Sequence, residues 1–182
     1  IKATNKTPLV LMGYLNQMLK YGEEKFCQKV VDCGIETLII PDLPMVEFEN
    51  HYQALFDKYG LTNVFLITPN TSEERIRKID NYTKTFIYVV ASSSITGAKG
   101  AISKQQMDYF KRVKAMQLKS KLIIGFGISN PDLAREATKF SDGVIVGSAV
   151  VKLIESNSNP IQRNKKLAKF ISSIKEAISD PC

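Results

Sequence analysis

The residues best suited to chemistry lie in three glycine-containing corners, each placed directly after an apolar run. Their sequences are SITGA at 94–98, GFGIS at 125–129 and GSAVV at 147–151. Glycine lets the backbone N–H approach an anion without a side chain in the way, and the amides at a helix amino terminus add a positive dipole end. One such corner is an ordinary turn between a strand and a helix. Three consecutive corners, with the last one opening a short helix, predict a site for a phosphate dianion.

The elements that must position these corners are strands and helices in strict alternation. Polar residues at the predicted helix starts include two capping-box patterns, Thr71-x-x-Glu74 and Ser103-x-x-Gln106, and the pair Asn130-Pro131. Strands that are apolar on both faces and separated by helices indicate a parallel sheet covered by helices. The predicted strands are 8–14, 36–42, 62–68, 85–91, 121–126 and 142–148, and the intervening helices include 23–33, 46–59 and 149–155.

The position of the corners distinguishes an open sheet from a closed barrel. A doubly wound nucleotide-binding sheet places its glycine-rich loop after the first strand, whereas a barrel builds its phosphate site from the loops after the last strands. We therefore predict an α/β protein of the TIM (β/α)8 barrel class, here incomplete with six βα units, in a single domain over 1–182. A barrel takes about 250 residues, so about two further units are expected ahead of Ile1.

Composition excludes several other classes. The chain has 182 residues, a net charge of +7 and 44% hydrophobic residues, and no apolar run approaches the ~20 residues of a membrane helix. We therefore expect a cytoplasmic protein that does not bind membranes. The lysines are scattered over helix faces without interleaved aromatic residues, so nucleic-acid binding is not expected. The cysteines show no metal-binding spacing, so no metal is expected, and Cys27 and Cys33 are predicted to be buried free thiols.

Several segments, in order along the chain, resemble one family. They are LMGYLN, LIIPDLP, TPNTSEERI, FIYVVASSSITGA, GFGISNPDLAREA and DGVIVGSAVVKLIE. This series resembles the tryptophan synthase alpha subunit from its third strand to its end and covers essentially the whole chain. PDLP combined with SITGA and GFGIS is the specific part of the resemblance, because glycine-rich corners alone occur in other phosphate-binding barrels.

The resemblance implies a lyase of tryptophan biosynthesis that cleaves indole-3-glycerol phosphate to indole and glyceraldehyde 3-phosphate by a retro-aldol reaction. In the family a glutamate on the second strand and an aspartate in the loop after it remove a hydroxyl proton, protonate the indole ring carbon and stabilise positive charge at the indole nitrogen. Both are expected amino-terminal to Ile1, so the resemblance implies no catalytic residue in this chain and no turnover by it alone. It also implies an α2β2 heterotetramer with a beta subunit. No cofactor is expected in this subunit, and pyridoxal phosphate is expected in the beta partner.

The resemblance also implies roles for individual residues. Tyr88 matches a tyrosine that lines the substrate pocket, and Ser92 and Ser94 stand where the family commonly has arginine and glycine in its closing loop. Asp42 is interpreted as structural or interfacial in preference to an acid–base role. The expected phosphate-site residues are Thr96, Gly97, Gly127, Gly147 and Ser148. Ile39, Leu66 and Ile145 are expected either to pack against the indole ring or to form plain barrel core, with equal weight. The expected partner contacts are Tyr14, Asn16, Asp42 and Pro44.

Two other hypotheses remain open from the sequence. The chain could be a non-catalytic phosphate-ligand or partner-binding barrel fragment, or another phosphate-binding β/α barrel isomerase. An intact mass larger by about 70 residues would favour the enzyme over the fragment, and formation of indole from indole-3-glycerol phosphate by the full-length form would exclude the isomerase.

Overall fold

Short strands alternate with helices in the computed structural model, which describes residues 7–91, 102–125 and 127–179. A π-helical turn, Phe48–Tyr52, joins two of the helices. Within the described residues the strands are Val10–Met12 (β1), Thr37–Ile39 (β2), Thr62–Val64 (β3), Leu66–Ile67 (β4), Phe86–Val90 (β5), Lys121–Gly125 (β6) and Gly143–Ile145 (β7). The helices there are Leu15–Tyr21 (α1), Glu23–Asp32 (α2), Met45–Glu47 (α3), Gln53–Lys58 (α4), Glu73–Tyr82 (α5), Lys104–Ala115 (α6), Pro131–Thr138 (α7), Ser148–Glu155 (α8) and Pro160–Ser179 (α9).

The strands form two sheets, with orders β1-β2-β3 and β4-β5-β6-β7. Pairing is parallel from β1 through β3 and between β6 and β7, as the alternation of strands and helices requires. The third predicted strand, 62–68, is broken at Phe65 into β3 and β4. The Phe65 ring packs edge-on against Phe48 at a centroid distance of 4.9 Å.

The chain divides into two compact units. The first comprises Ile1–Leu66 and Arg77–Ile87, and the second comprises Ile67–Ile76 and Tyr88–Cys182. Each has its own buried apolar residues, Leu38, Phe56, Val64 and Ile79 in the first and Ile76, Val89, Val113 and Ile124 in the second. The single-domain assignment of 1–182 stays a prediction.

Two of the three predicted helix starts are confirmed. The Ser103 hydroxyl accepts the Gln106 amide at 3.2 Å, and the Gln106 side chain accepts the Ser103 amide at 2.9 Å. Asn130 Oδ1 accepts the Leu133 amide at 2.9 Å. The start assigned to Thr71 was wrong by one residue. The Ser72 hydroxyl accepts the Arg75 amide, because Thr71 Oγ1 already accepts the amide of Thr68 at 2.9 Å.

The helix predicted over 46–59 is interrupted by the π-helical turn. The last residue of this turn, Tyr52, is buried, and its hydroxyl donates to Glu23 Oε1 at 2.5 Å. This contact ties the turn to α2, 29 positions earlier in the chain. A π-helical turn of this kind is uncommon inside helices and is frequent at functional sites.

The two cysteines of the α2 region differ in exposure. Cys27 is fully buried, as predicted, but Cys33 is exposed, so the prediction for Cys33 was wrong. Cys33 follows the last residue of α2, where the chain turns away from the helix's buried face. Burial, assisted by the charges of Glu24 and Glu23, raises the pKa of the Cys27 thiol to about 11.

We expect iodoacetamide at about pH 8 to alkylate Cys33 in the native protein and to leave Cys27 unmodified, because only an accessible thiolate reacts. Mass spectrometry of the two peptides measures the extent of modification. In denaturant both thiols should react, which provides the control. Equal native rates at the two positions would contradict the burial of Cys27.

No helix among the described residues is long and apolar enough to span a membrane.

Candidate functional site

Two of the predicted phosphate corners lie side by side at one sheet edge. Gly125 of β6 pairs with Ile145 of β7 in parallel register. Gly127 and Gly147 each follow a paired residue by two positions, so both lie just beyond the carboxyl ends of adjacent strands. Adjacent strands are about 4.8 Å apart. The register therefore brings the two corners to the same level of the second unit.

Among the residues that the structure describes, the backbone at both corners faces open space. Gly127 has a φ of +85°, which a residue with a side chain rarely adopts. No described atom lies within 4 Å of the position that a Cβ would occupy at Gly127 or at Gly147. Both residues are exposed, so a ligand can approach the two backbones from solvent.

Helix α8 begins at this edge, and no side chain of the described residues caps its first amides. Gly147 is the N-cap residue, and the first turn contains no acidic residue. The Gly147 carbonyl accepts the amides of Val150 and Val151 at 2.9 and 3.1 Å, whereas the amides of Ser148 and Ala149 precede the first intrahelical bonds. In contrast, α6 and α7 begin with side-chain caps. The start of α8 is therefore suited to accept an external anion.

Tyr88 of β5 lies directly against Gly125 of β6. A Cβ at Gly125 would be 2.5 Å from Tyr88 Oη and 2.6 Å from Cζ, so only glycine leaves room for this ring. Tyr88 is buried, and burial raises the pKa of its hydroxyl. The strand pairing continues at Ala91, whose amide donates to the Gly125 carbonyl at 3.1 Å. The ring predicted to line the substrate pocket thus lies at the strand that leads into the GFGIS corner.

Asp142 fixes the register between the two strands that carry the corners. Its amide donates to the Leu122 carbonyl at 2.8 Å, and its Oδ2 accepts the Leu122 amide at 2.8 Å. Lys121 Nζ contacts its other carboxylate oxygen at 2.9 Å. Burial would raise the pKa of Asp142, but the hydrogen bonds from Leu122 and Lys121 outweigh it and hold the pKa below its usual value. The ionised carboxylate therefore stabilises the fold.

We expect Asp142→Asn to lower the free energy of unfolding by about 1 kcal/mol at neutral pH, after allowance for solvent screening of the exposed lysine. Because the folded-state pKa is lowered, this contribution is present above the unfolded-state pKa. It disappears as pH falls through the folded-state pKa. Urea unfolding at several pH values measures the difference.

The matched control for Asp142 is Asp132→Asn, which removes a largely exposed carboxylate paired with Arg135 and should change stability by less than about 0.5 kcal/mol. A constant difference between the parent and Asp142→Asn across the acid range would contradict the proposed role of the carboxylate.

The other predicted substrate residues have different surroundings. Ile39 is buried at the end of β2, where its carbonyl accepts the Gly13 amide at 3.1 Å. Leu66 begins β4 and Ile145 ends β7, and both are partly exposed. Ile145 shares the sheet edge with Gly125. Thr96 and Gly97, and also Ser92 and Ser94, lie outside the described residues.

The predicted partner contacts lie at the start of α1 and on the loop after β2, and a hydrogen bond joins these two segments. Asp42 Oδ1 accepts the amide of Leu15 at 2.9 Å and so caps the start of α1. This helix lies inside the first strand-to-helix connection and was not predicted. Tyr14 and Asn16 flank Leu15, and Pro44 follows on the loop of Asp42. The side chains of all four predicted contacts are exposed, namely Tyr14, Asn16, Asp42 and Pro44.

The described residues contain no group of three or more histidine, cysteine, aspartate or glutamate side chains placed to hold a metal ion. The start of α8 at the β6–β7 edge presents backbone amides without a side-chain cap among the described residues, which favours an anionic ligand over a cation.

Comparisons with known proteins identify the family. The family model for the tryptophan synthase alpha chain matches residues 1–179. The alpha chain of Flavobacterium johnsoniae is 51% identical over 163 residues, which cover 89% of this chain and 64% of that one. The alpha chain of Bacteroides thetaiotaomicron is 45% identical over 160 residues, covering 88% and 62% respectively.

Solved structures give the same result. A structure of the Pyrococcus furiosus tryptophan synthase a2b2 complex matches with a TM-score of 0.85 at 30% identity, covering 96% of this chain and 69% of that one. The Legionella pneumophila alpha chain matches with a TM-score of 0.82 at 32% identity, covering 98% and 65%.

Parallel βα units with glycine corners at their carboxyl ends place the chain in the β/α barrel class, and the prediction of an incomplete barrel with six βα units is confirmed. The chain belongs to the tryptophan synthase alpha chain family. It spans about 64% of the length of the Flavobacterium johnsoniae relative.

Proposed function

We propose that this chain serves an alpha-chain lyase, which cleaves indole-3-glycerol phosphate to indole and glyceraldehyde 3-phosphate. In that reaction a base removes a hydroxyl proton of the glycerol chain, the bond to the indole ring breaks, and an acid protonates the ring carbon. We assign neither role to a residue of this chain and place the family's glutamate and aspartate amino-terminal to Ile1. The residues described above bind and orient the substrate.

The observation that carries this proposal is the open edge formed by the two adjacent corners. Gly127 and Gly147 lie at the same level of paired strands, with open space over both. The uncapped first turn of α8 contributes the amides of Ser148 and Ala149. A phosphate dianion is the ligand that several converging amides and a helix dipole favour. Thr96 and Gly97 are proposed to complete this site.

The apolar end of the substrate is assigned to residues near the same strands. Tyr88, packed on Gly125, is proposed to line the indole pocket, since an aromatic ring prefers an edge or offset contact with another ring. Ile145 ends the neighbouring strand β7 and is proposed to extend this wall. As the resemblance implies, Ile39 and Leu66 are proposed either to pack against the indole ring or to form barrel core.

Binding of glycerol 3-phosphate to the 182-residue chain tests the phosphate site. We expect titration to shift the backbone amide NMR signals of Gly127, Gly147 and Ser148. Glycerol without phosphate should leave these signals unchanged. Shifts that are absent, or that occur at other positions, would refute the assignment of the corners.

The reaction itself is tested by joining the chain behind the amino-terminal segment of the Flavobacterium johnsoniae relative that precedes the matched residues. We expect this fusion to form indole from indole-3-glycerol phosphate, and neither part to do so alone. A folded fusion that binds glycerol 3-phosphate but forms no indole would favour a non-catalytic phosphate-binding module.

The partner proposed for this chain is a tryptophan synthase beta subunit in an α2β2 complex, with pyridoxal phosphate in the beta subunit and no cofactor in this chain. Support comes from the exposed surface of Tyr14, Asn16, Asp42 and Pro44 and from the relative that was solved as an a2b2 complex. We expect Tyr14→Ala to weaken binding of a beta subunit by calorimetry. Ile161→Ala, on the exposed start of α9, is the control that should not.

A further inference from the structure

Helix α1 has little packing of its own to hold it in place. It is seven residues long and, of its described side chains, only Met18 is buried. Leu19 and Tyr21 are 53% and 47% exposed. Isolated helices shorter than about 12 residues are marginal in water, and most helical stability in proteins comes from the packing of an apolar face. Contacts at the two ends of α1 must therefore contribute much of its order.

The amino end of α1 is held from the loop after β2. The Leu15 amide donates to Asp42 Oδ1 at 2.9 Å, and Asp42 lies two residues before Pro44, the N-cap residue of α3. Helix α3 continues directly into the π-helical turn at Phe48. The hydrogen bond from Leu15 therefore joins the start of α1 to the start of the segment 42–52.

The carboxyl end of α1 is held from the other end of the same segment. Gly22 joins α1 to α2 with a φ of +92°, and Glu23 is the first residue of α2. Glu23 Oε1 accepts the Tyr52 hydroxyl at 2.5 Å, and Glu23 Oε2 contacts His51 Nε2 at 3.2 Å. We call these two contacts the Glu23 clasp. They bind the last two residues of the π-helical turn to one carboxylate.

One short segment, 42–52, thus contacts α1 at its start and just beyond its end. The segment is itself anchored in the first unit, because Phe48 is buried and its ring packs edge-on against Phe65. Packed helical elements of this kind can transmit a displacement from one end to the other. The hydrogen bond from Asp42 and the Glu23 clasp are therefore expected to depend on each other.

We propose that α1 is a conditionally ordered helix, held by Asp42 and by the Glu23 clasp, and that Glu23 is a positioning residue for the surface of Tyr14 and Asn16. A partner that docks on this surface binds the form of the chain in which α1 is ordered. Its apparent affinity therefore depends on the population of that form. The statement about the partner rests on the proposed function, whereas the coupling between the two ends of α1 does not.

Glu23→Ala in the 182-residue chain tests the coupling by hydrogen exchange. We expect the Leu15 amide, at the opposite end of α1, to exchange about tenfold faster, as for the loss of one hydrogen bond to a charged group. Glu24→Ala is the matched control. Glu24 also binds a tyrosine hydroxyl and a base, but these belong to Tyr59 and Lys58 at the end of α4. The control should leave Leu15 exchange within about twofold of the parent chain.

Two further variants separate coupling from general loosening. Glu23→Gln keeps an oxygen that can accept the Tyr52 hydroxyl, so it should restore most of the protection of Leu15. Asp42→Ala tests the reverse direction, because coupling between two sites is reciprocal. It should accelerate exchange of the Gly22 amide, which donates to the carbonyls at the end of α1. In both cases exchange should rise more at the ends of α1 than in β2, whose amides report global unfolding.

Binding of a tryptophan synthase beta subunit tests the positioning role. We expect Glu23→Ala to weaken binding by about three- to tenfold, because a smaller population has α1 ordered. Glu23→Gln should weaken it much less, and Glu24→Ala should bind like the parent chain. Isothermal titration calorimetry measures all three affinities, with Tyr14→Ala as the variant that alters the surface itself.

Three results would overturn the proposal: equal Leu15 exchange in Glu23→Ala and Glu24→Ala; acceleration at Leu15 no greater than in β2; or unchanged affinity of Glu23→Ala where Tyr14→Ala weakens binding. If Tyr14→Ala also binds normally, the proposed partner surface is wrong, and the exchange measurements alone decide whether the ends of α1 are coupled. If Glu23→Ala does not fold, the response of Gly22 to Asp42→Ala decides.

Discussion

Gly125→Ala is expected to lower the free energy of unfolding by about 3 kcal/mol, the upper part of the range for overpacking a core. The added methyl group would sit 2.5 Å from Tyr88 Oη and 2.6 Å from Cζ, distances that non-bonded atoms do not adopt. Both residues are on paired strands, so neither backbone can move without disturbing the sheet. The midpoint of thermal unfolding should fall by about 6–12 °C, which calorimetry measures.

The control for Gly125 is Gly143→Ala on the adjacent strand. The nearest atom to its added Cβ is the terminal methyl group of Ile123 at 3.1 Å, and this flexible end can move. Gly143→Ala should therefore lower the free energy of unfolding by much less than Gly125→Ala does.

A double variant identifies the cause. Tyr88→Leu removes the ring, so Gly125→Ala should be less harmful in that background, with a coupling energy of about 1–3 kcal/mol. Additive effects of the two changes would show that Tyr88 is not the group that requires glycine at 125.

Ser148→Asp is expected to weaken glycerol 3-phosphate binding at least about 100-fold. A carboxylate about 4 Å from a phosphate repels it by several kcal/mol at an effective dielectric constant of 20. The same substitution should leave stability unchanged or raise it slightly. An aspartate in the first turn of α8 interacts favourably with the helix dipole, and that turn contains no acidic residue. Titration by NMR and thermal unfolding measure the two effects separately.

Ser148→Ala is the matched control for the charge. It removes the hydroxyl but keeps the backbone amide, so binding should fall by less than about tenfold. If Ser148→Asp bound glycerol 3-phosphate as well as the parent chain, the amino end of α8 would not be the phosphate site. This prediction rests on the proposed function, whereas the prediction for Gly125 rests only on packing.

The alternation of strands and helices was predictable because it depends on local apolar patterns and on caps such as Ser103 and Asn130. The features that were missed depend on contacts between distant residues. Helix α1 begins where Asp42, 27 positions later, accepts the Leu15 amide, and no pattern within 15–21 reveals that carboxylate. The π-helical turn is similarly tied to Glu23 through Tyr52.

The candidate site was predictable to the same extent. Gly127, Gly147 and Ser148 follow apolar runs directly, so their place beyond strand ends could be inferred from spacing. The importance of Gly125 could not, because the approach of Tyr88 depends on β5 and β6 being neighbours. A glycine at the end of an apolar run was the only local signal, and it is also compatible with a simple turn. The exposure of Cys33 was missed because α2 ends just before it.

The Asp142–Leu122 contact also bears on the order of events during folding. It joins positions only 20 apart, so closing the loop between them loses little chain entropy compared with more distant pairings. Local contacts of this kind favour rapid assembly, and β6, α7 and β7 are therefore expected to dock early. Asp142→Asn should then slow refolding more than it accelerates unfolding, as stopped-flow fluorescence can measure. The corners proposed to bind the phosphate, at Gly127 and Gly147, would then form before the rest of the chain has completed its contacts.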